Sequence, residues 1–216
     1  MSIKINNIKK IIKKKTVLDN INLEFESGKK YAIIGANGSG KTLLLKLISG
    51  LLIPTNGNIY INGEELHKDF RFYESMGLII ETINFYDNIS GFDTLKLLSS
   101  INKKVKDDEI IEVLDKLNLK DDMNKKVKEY SLGMKQRLAI AQAIMENPKV
   151  LLLDEPTIAL DEKSRDIFFN ILDKFKKENA TIIIATNEKH DLKDRYDKFV
   201  EIYDGKVIRV GDIYEY

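Results

Sequence analysis

The sequence predicts an α/β fold in one domain, residues 1–216, with a mainly parallel sheet, an N-terminal antiparallel β part and a helical subdomain inserted at about 84–148. Three observations predict it. Apolar strand-like runs alternate with helical patterns, as strands joined by crossover helices do. The first 35 residues carry β-type patterning and turn signals without a helical period. The middle of the chain, by contrast, is helical in its spacing.

Taken in order, β runs are expected at Ser2–Ile5 and Leu18–Phe25, then a turn at Ser27-Gly28 before the apolar strand Tyr31–Ile34. A helix should follow from Lys41 to about Ser49, because Leu44, Leu47, Ile48 and Leu51 fall at helical spacing and Gly50 and Pro54 end it. Asn56-Gly57 and Asn62-Gly63 bracket the β run Asn58–Ile61 as hairpin turns would. In the insert, Asp93 is the expected cap of a helix through Leu98, and Ile110, Ile111, Val113, Leu114 and Leu117 line the face of another. A third helix runs from Ser131 through Leu138, Ile140, Ala141 and Ile144. Strands return at Val150–Leu153, Thr181–Ala185 and Lys198–Tyr203, with a helix through Ile167, Phe168, Ile171, Leu172 and Phe175 between the first two. Asp204-Gly205 then turns the chain into Lys206–Val210.

Bulk chemistry narrows the function classes. At 216 residues the chain can bury one substantial core. Its 35 basic and 34 acidic residues leave a formal net charge of +1, so no global field favours nucleic acid or an acidic membrane surface. The run Lys9–Lys15 is basic but interrupted by isoleucines, and reads as a solvated strand–loop–strand edge. With no cysteine, disulfides, Cys-ligated zinc and thiol catalysis are excluded, and a reducing cytoplasm suits the chain. The N-terminus lacks a signal-peptide apolar core. The richest apolar stretch, Leu43–Ile53, is broken by Lys46, Ser49 and Gly50, so a soluble chain is expected.

The clearest chemical signal is G-A-N-G-S-G-K-T, Gly35 to Thr42, which fits the P-loop pattern G-x-x-x-x-G-K-[ST]. Its glycines at 35, 38 and 40 allow backbone conformations that point successive N–H groups at one anion, and the helix from Lys41 adds its positive end. Gly35, Ala36, Asn37, Gly38, Ser39, Gly40, Lys41 and Thr42 are therefore the candidate nucleotide-binding residues. Lys41 would reach the β- and γ-phosphates and the Thr42 hydroxyl would hold Mg²⁺. The second signal, K-V-L-L-L-D-E-P-T, ends a buried strand with two adjacent carboxylates. Asp154 would meet Mg²⁺, and Glu155 would orient and deprotonate an attacking water. Third, Y-S-L-G-M-K opens a helix that Ser131 can cap, with Gly133 in its first turn.

These three motifs, in this order and spacing, resemble the nucleotide-binding subunits of ABC transporters over essentially the whole chain. Gly35–Thr42 matches the Walker A loop, Val150–Asp154 the Walker B strand with Glu155 at the catalytic glutamate, and Ile158–Asp161 the D-loop. Tyr130–Lys135 is similar to the signature motif, reading Y-S-L-G-M-K where many members have L-S-G-G-Q, and it keeps Ser131 and Gly133. The resemblance implies a P-loop NTPase core and a head-to-tail dimer of two such chains. Two ATPs would lie between one subunit's Walker A loop and the other's signature helix.

Three positions depart from the family pattern. Ile12 stands where an aromatic often stacks on adenine, so apolar contact is expected without π-stacking. Glu81 replaces the usual Q-loop glutamine; it can still ligate Mg²⁺ but brings negative charge near the γ-phosphate. The surrounding I-I-E-T-I-N-F-Y-D-N-I-S-G is similar to the ATPases of bacitracin-resistance and lantibiotic-immunity exporters. Asn187 stands at the switch-histidine position, just beyond the strand Thr181–Ala185, and is expected to sense the γ-phosphate as a neutral donor. His190, three residues on, should be displaced into the next helix. His67 is expected at the surface. Phe85 and Tyr86 read equally as core and as a seat for a helix of a membrane partner.

The function implied is an ATPase subunit, cytoplasmic and peripheral on the inner face of the cell membrane, that powers a separate transmembrane permease. The cargo class suggested by the Glu81 segment is a peptide antibiotic or other amphipathic compound moved outward. The rival readings are a soluble non-transport ABC ATPase and a catalytically weak ATP-binding clamp.

Overall fold

The computed structural model describes residues 1–66, 75–81, 83–188 and 192–216, so His67 and His190 lie outside the described residues. Two sheets form the scaffold. The first is antiparallel, in the order β2-β1-β4-β5, from β1 (Ile3–Ile12), β2 (Lys15–Phe25), β4 (Asn56–Ile61) and β5 (Glu64–Glu65). The second, in the order β10-β9-β3-β8-β7-β6, uses β3 (Lys30–Ile34), β6 (Met76–Ile79), β7 (Val150–Asp154), β8 (Thr181–Thr186), β9 (Lys198–Tyr203) and β10 (Lys206–Asp212). Its strands are parallel except for the edge strand β10.

The parallel sheet is buried on both faces, which is why its strands read as unbroken apolar runs. Successive side chains of a strand point to opposite faces. Tyr31, Ile33, Leu152 and Ile183 thus join the core shared with β1, β2, β4 and the helix α1 (Lys41–Ile48). Ala32, Ile34, Leu151 and Ile184 join the opposite core, beneath α2 (Gly91–Asn102), α3 (Asp107–Lys116), α4 (Leu132–Ile144) and α5 (Glu162–Lys177). A short helix, α6 (Leu192–Arg195), precedes β9. Helices α2 to α4 all lie in the crossover from β6 to β7.

The structure corrects several local readings. β1 and β2 are longer than the pattern suggests and meet in a hairpin at Lys13-Lys14, both left-handed at φ 46 and 67. Lysines carry no turn signal, so the hairpin is hidden in the sequence. Asn62-Gly63 does turn β4 into β5, but Asn56-Gly57 lies inside β4, where a Cβ on Gly57 would stand 2.4 Å from the Asn7 carbonyl oxygen. That glycine permits close approach of β1, and no turn forms there. Helix α2 is capped by Ser90, whose hydroxyl accepts the Asp93 N–H, and not by Asp93. Tyr130 is buried: its hydroxyl donates to the Asp122 carbonyl at 3.0 Å, and a Cβ on Gly91 would come within 2.1 Å of it. Burial of the Tyr130 phenol pushes its pKa up to about 12.

Candidate active site

Four neighbouring parallel strands, β3, β8, β7 and β6, end level with one another: Ile34 pairs with Thr186, Asp154 with Ala185, and Ile79 with Leu153. Ligands of open α/β sheets gather beyond such carboxyl ends. Here the four ends deliver Gly35–Thr42, Asn187, Asp154-Glu155 and Glu81 respectively. Segments far apart in sequence therefore converge because the sheet places their strands side by side.

The loop after β3 is shaped by its glycines in two ways. Gly38 and Gly40 are left-handed, at φ 77 and 112, and Gly40 begins α1. Gly35 is not left-handed; a Cβ there would lie 2.3 Å from the Ile202 carbonyl oxygen and 2.6 Å from Ser39 Oγ. Lys41 is buried, and its Nζ donates to the carbonyls of Gly35 at 2.7 Å and Ala36 at 3.2 Å and to Asn187 Oδ1 at 2.6 Å. Burial lowers its pKa, opposed by the charges of Glu155 and Asp154. Asn187 Nδ2 in turn donates to Asn37 Oδ1. The Thr42 hydroxyl donates to Asp154 Oδ2 at 2.6 Å. A cleft of about 340 Å³ is lined by Asn37, Gly38, Lys41, Thr42, Asp154 and Asn187, with Glu155 beside them.

Glu155 occupies a left-handed conformation, φ 47, that a non-glycine residue seldom adopts outside a constrained site. Its N–H donates to the Ala185 carbonyl at 2.9 Å, which holds it against β8. Burial pushes the Glu155 carboxyl above the ordinary range, partly offset by a hydrogen bond from the Asn187 N–H and by the Lys41 charge. Its Oε1 is buried without a hydrogen-bond partner among the described residues, as is Ser39 Oγ. A carboxyl so placed can accept a proton more readily than an exposed one. The oxygens of Thr42 and Asp154 are the hard donors that Mg²⁺ takes when it shares its shell with phosphate. Among the described residues no larger acidic or histidine cluster offers a protein-only metal site.

Glu81 is further out. It lines a second cleft, of about 650 Å³, with Asp154, Glu155, Phe85, Leu132 and Gln136, and its Oε1 lies 2.5 Å from Lys46 Nζ. Gln136 of α4 donates to the Pro156 carbonyl at 2.8 Å, tying that helix to the turn after Glu155. Ser131 caps α4 by accepting the Met134 N–H at 3.2 Å, and Gly133 passes so close to the Ala159 carbonyl that a Cβ would stand 2.9 Å from it. No residue of α4 is among the described residues lining the P-loop cleft. Ile12, at the end of β1 and 37% exposed, is not among them either. Phe85 is half-buried against the core, whereas Tyr86 is 73% exposed. The sequence reading missed Lys46 and Gln136. The first had only its charge as a signal, and the second only its position on the cleft side of α4.

A family model described as ABC transporter matches residues 18–158. The chain is 48% identical over 205 residues to the uncharacterized ABC transporter ATP-binding protein YybJ of Bacillus subtilis, covering 95% of this chain and 94% of that one. It is 38% identical to the lantibiotic transport ATP-binding protein SrtF of Streptococcus pyogenes, with 95% and 89% covered. Identity to the bacitracin transport ATP-binding protein BcrA of Enterococcus faecalis is 34%, over 99% of this chain and 70% of the relative. Among solved structures, the dimeric structure of a bacterial ABC transporter cassette superposes with a TM-score of 0.85 at 25% identity, covering 98% of each chain.

Proposed function

The chain belongs to the ABC transporter family, whose ATPases hydrolyse ATP, and from that premise we propose that it drives a separate transmembrane permease that exports a peptide antibiotic or similar amphipathic compound. The observation that carries the ATPase reading is the meeting of the Lys41–Thr42 helix start with Asp154, Glu155 and Asn187 around one cleft. Lys41 binds the β- and γ-phosphates, and backbone N–H groups of residues 35–42 cradle them. Thr42 and Asp154 would hold Mg²⁺, which would supply charge neutralisation on the phosphate oxygens. Glu155 orients the attacking water and takes its proton, a task suited to a carboxyl whose proton affinity burial has raised. Asn187 offers its amide to the γ-phosphate. Ile12 gives apolar contact to the adenine.

The missing wall of the P-loop cleft comes from a second copy, whose Ser131 and Gly133 cap the γ-phosphate. Among the described residues no helix is long and apolar enough to cross a membrane, and the transport pathway belongs to the partner. The helices at about 84–148, with exposed Tyr86, Leu97 and Ile101, form an inserted subdomain that receives the permease. In this reading the chain works on the cytoplasmic side of the cell membrane. The export reading draws on the lantibiotic and bacitracin names of its relatives. Co-expression with a membrane protein from the adjoining reading frame tests it. The pair should purify together and show ATP-dependent protection against such a peptide, lost in Glu155→Gln. A permease that neither co-purifies nor protects refutes the transport role.

A further inference from the structure

We propose that Lys46 is a positioning residue for Glu81, an ion-pair partner that fixes its carboxylate at the rim of the phosphate cleft and cancels the charge it would otherwise turn toward the nucleotide. The inference rests on the ATPase reading above and adds a residue to it. Lys46 lies one turn beyond Thr42 in α1, and residues four apart share a helix face. Its ammonium meets Glu81 Oε1 at 2.5 Å. Glu81 follows β6 in a left-handed conformation, φ 62, so its backbone leaves the sheet on a constrained course that directs the side chain.

Charge balance is the reason for the pair. Glu81, Asp154 and Glu155 line one cleft, and a nucleotide brings several further negative charges to it. Asp154 is met by the Thr42 hydroxyl and Glu155 by a backbone N–H, both neutral donors. Lys41 donates to two carbonyls and an amide oxygen. Among the described residues, Glu81 is the one of the three that is ion-paired, and its cation comes from the helix that carries the phosphate loop. Both partners are partly exposed, at 26% and 61%, so the pair contributes little to folding. Its consequence is local, in the field at the cleft mouth.

A double-mutant cycle tests this, using titration of the purified chain with a fluorescent ATP analogue, with and without Mg²⁺. Lys46→Met keeps the apolar stem and removes the charge. It should weaken binding about two- to fivefold, the scale of an exposed ion pair, and less so at high salt. Lys46→Arg should restore most of the loss. In a Glu81→Gln background, Lys46→Met should have no further effect, because the charge that needs cancelling is gone. Equal losses in the two backgrounds, or a loss insensitive to salt, would overturn the proposal. Lys41→Ala separates the two levels. If it binds normally, the site reading itself fails. If it loses binding while the Lys46 and Glu81 effects simply add, only the present inference fails.

Discussion

Replacing Glu155 by glutamine should cost activity and gain stability, and the structure supplies both signs. The carboxyl accepts the Asn187 N–H, but its Oε1 is buried without a partner and its pKa is raised, chiefly by burial. A carboxyl whose folded pKa lies above its unfolded value stabilises the fold fully below that unfolded value, 4.5. The contribution is lost as pH rises through the folded pKa. The fold therefore disfavours ionisation of the parent's Glu155, and the cost to stability grows as pH rises through the folded pKa. Glutamine is neutral throughout, and it still leaves one buried N–H group unpaired. The gain should thus sit at the low end of the penalty for an unsatisfied buried group, about 1 kcal/mol. For a chain of this size that is a rise of about 2–4 °C in Tm. Thermal unfolding of parent and variant at about pH 7.5 and about pH 5 measures it, and the difference should shrink at the lower pH. Phosphate release should fall on the order of 10²-fold, the scale of a lost general base and about 2.7 kcal/mol of barrier, while ATP binding persists. Light scattering should then find a doubled mass with ATP. A Tm gain independent of pH would show that the raised carboxyl is not its source. A variant that hydrolyses ATP at the parental rate would mean that a different carboxylate performs the step.

Lys41→Ala should abolish tight ATP binding, since it removes the ammonium seated among the Gly35 and Ala36 carbonyls and Asn187; isothermal titration with an unchanged affinity would defeat the P-loop assignment. Asn187→Ala should slow hydrolysis by about 1–3 kcal/mol of lost hydrogen bonding, whereas His190→Ala should leave it near the parental rate. The pH–rate profile should accordingly show no histidine step between about pH 6 and 7, and the opposite mutant pattern would hand the sensing role to His190. Gly35→Ala should lower stability by about 1–3 kcal/mol through overpacking, because its methyl meets the Ile202 carbonyl of β9 at 2.3 Å. Gly38→Ala has open space around it and φ 77, so chemical denaturation should report only the left-handed backbone cost, about 1–2 kcal/mol. A larger loss at Gly38 than at Gly35 would contradict the packing argument.

The parts of the site written in contiguous residues are legible in the sequence itself. Gly35–Thr42 declares itself because a phosphate cradle needs consecutive N–H groups, specific glycines and a helix start within eight residues. Asp154 and Glu155 follow an apolar strand for an equally local reason. The two-sided burial of β3, β7 and β8 is also readable, as continuous apolar runs. Boundaries were poorer where the chain breaks the usual chemistry. The β1–β2 hairpin turns on two lysines, and Gly57 serves close strand approach in place of a turn.

The contacts within the site were decided by tertiary structure. Thr42 and Asp154 stand 112 residues apart, and Lys41 and Asn187 are separated by 146. They touch because β3, β8 and β7 are neighbours in the sheet, an order that no local pattern encodes. The same holds for Glu81. From the sequence it is a charge where an amide is usual, with no sign of what balances it. Only the folded chain brings Lys46 of α1 within 2.5 Å of it. Pair interactions of charged side chains depend on distance and burial. Those quantities come into being when the strands assemble, which is why this pairing could be found only in the folded chain.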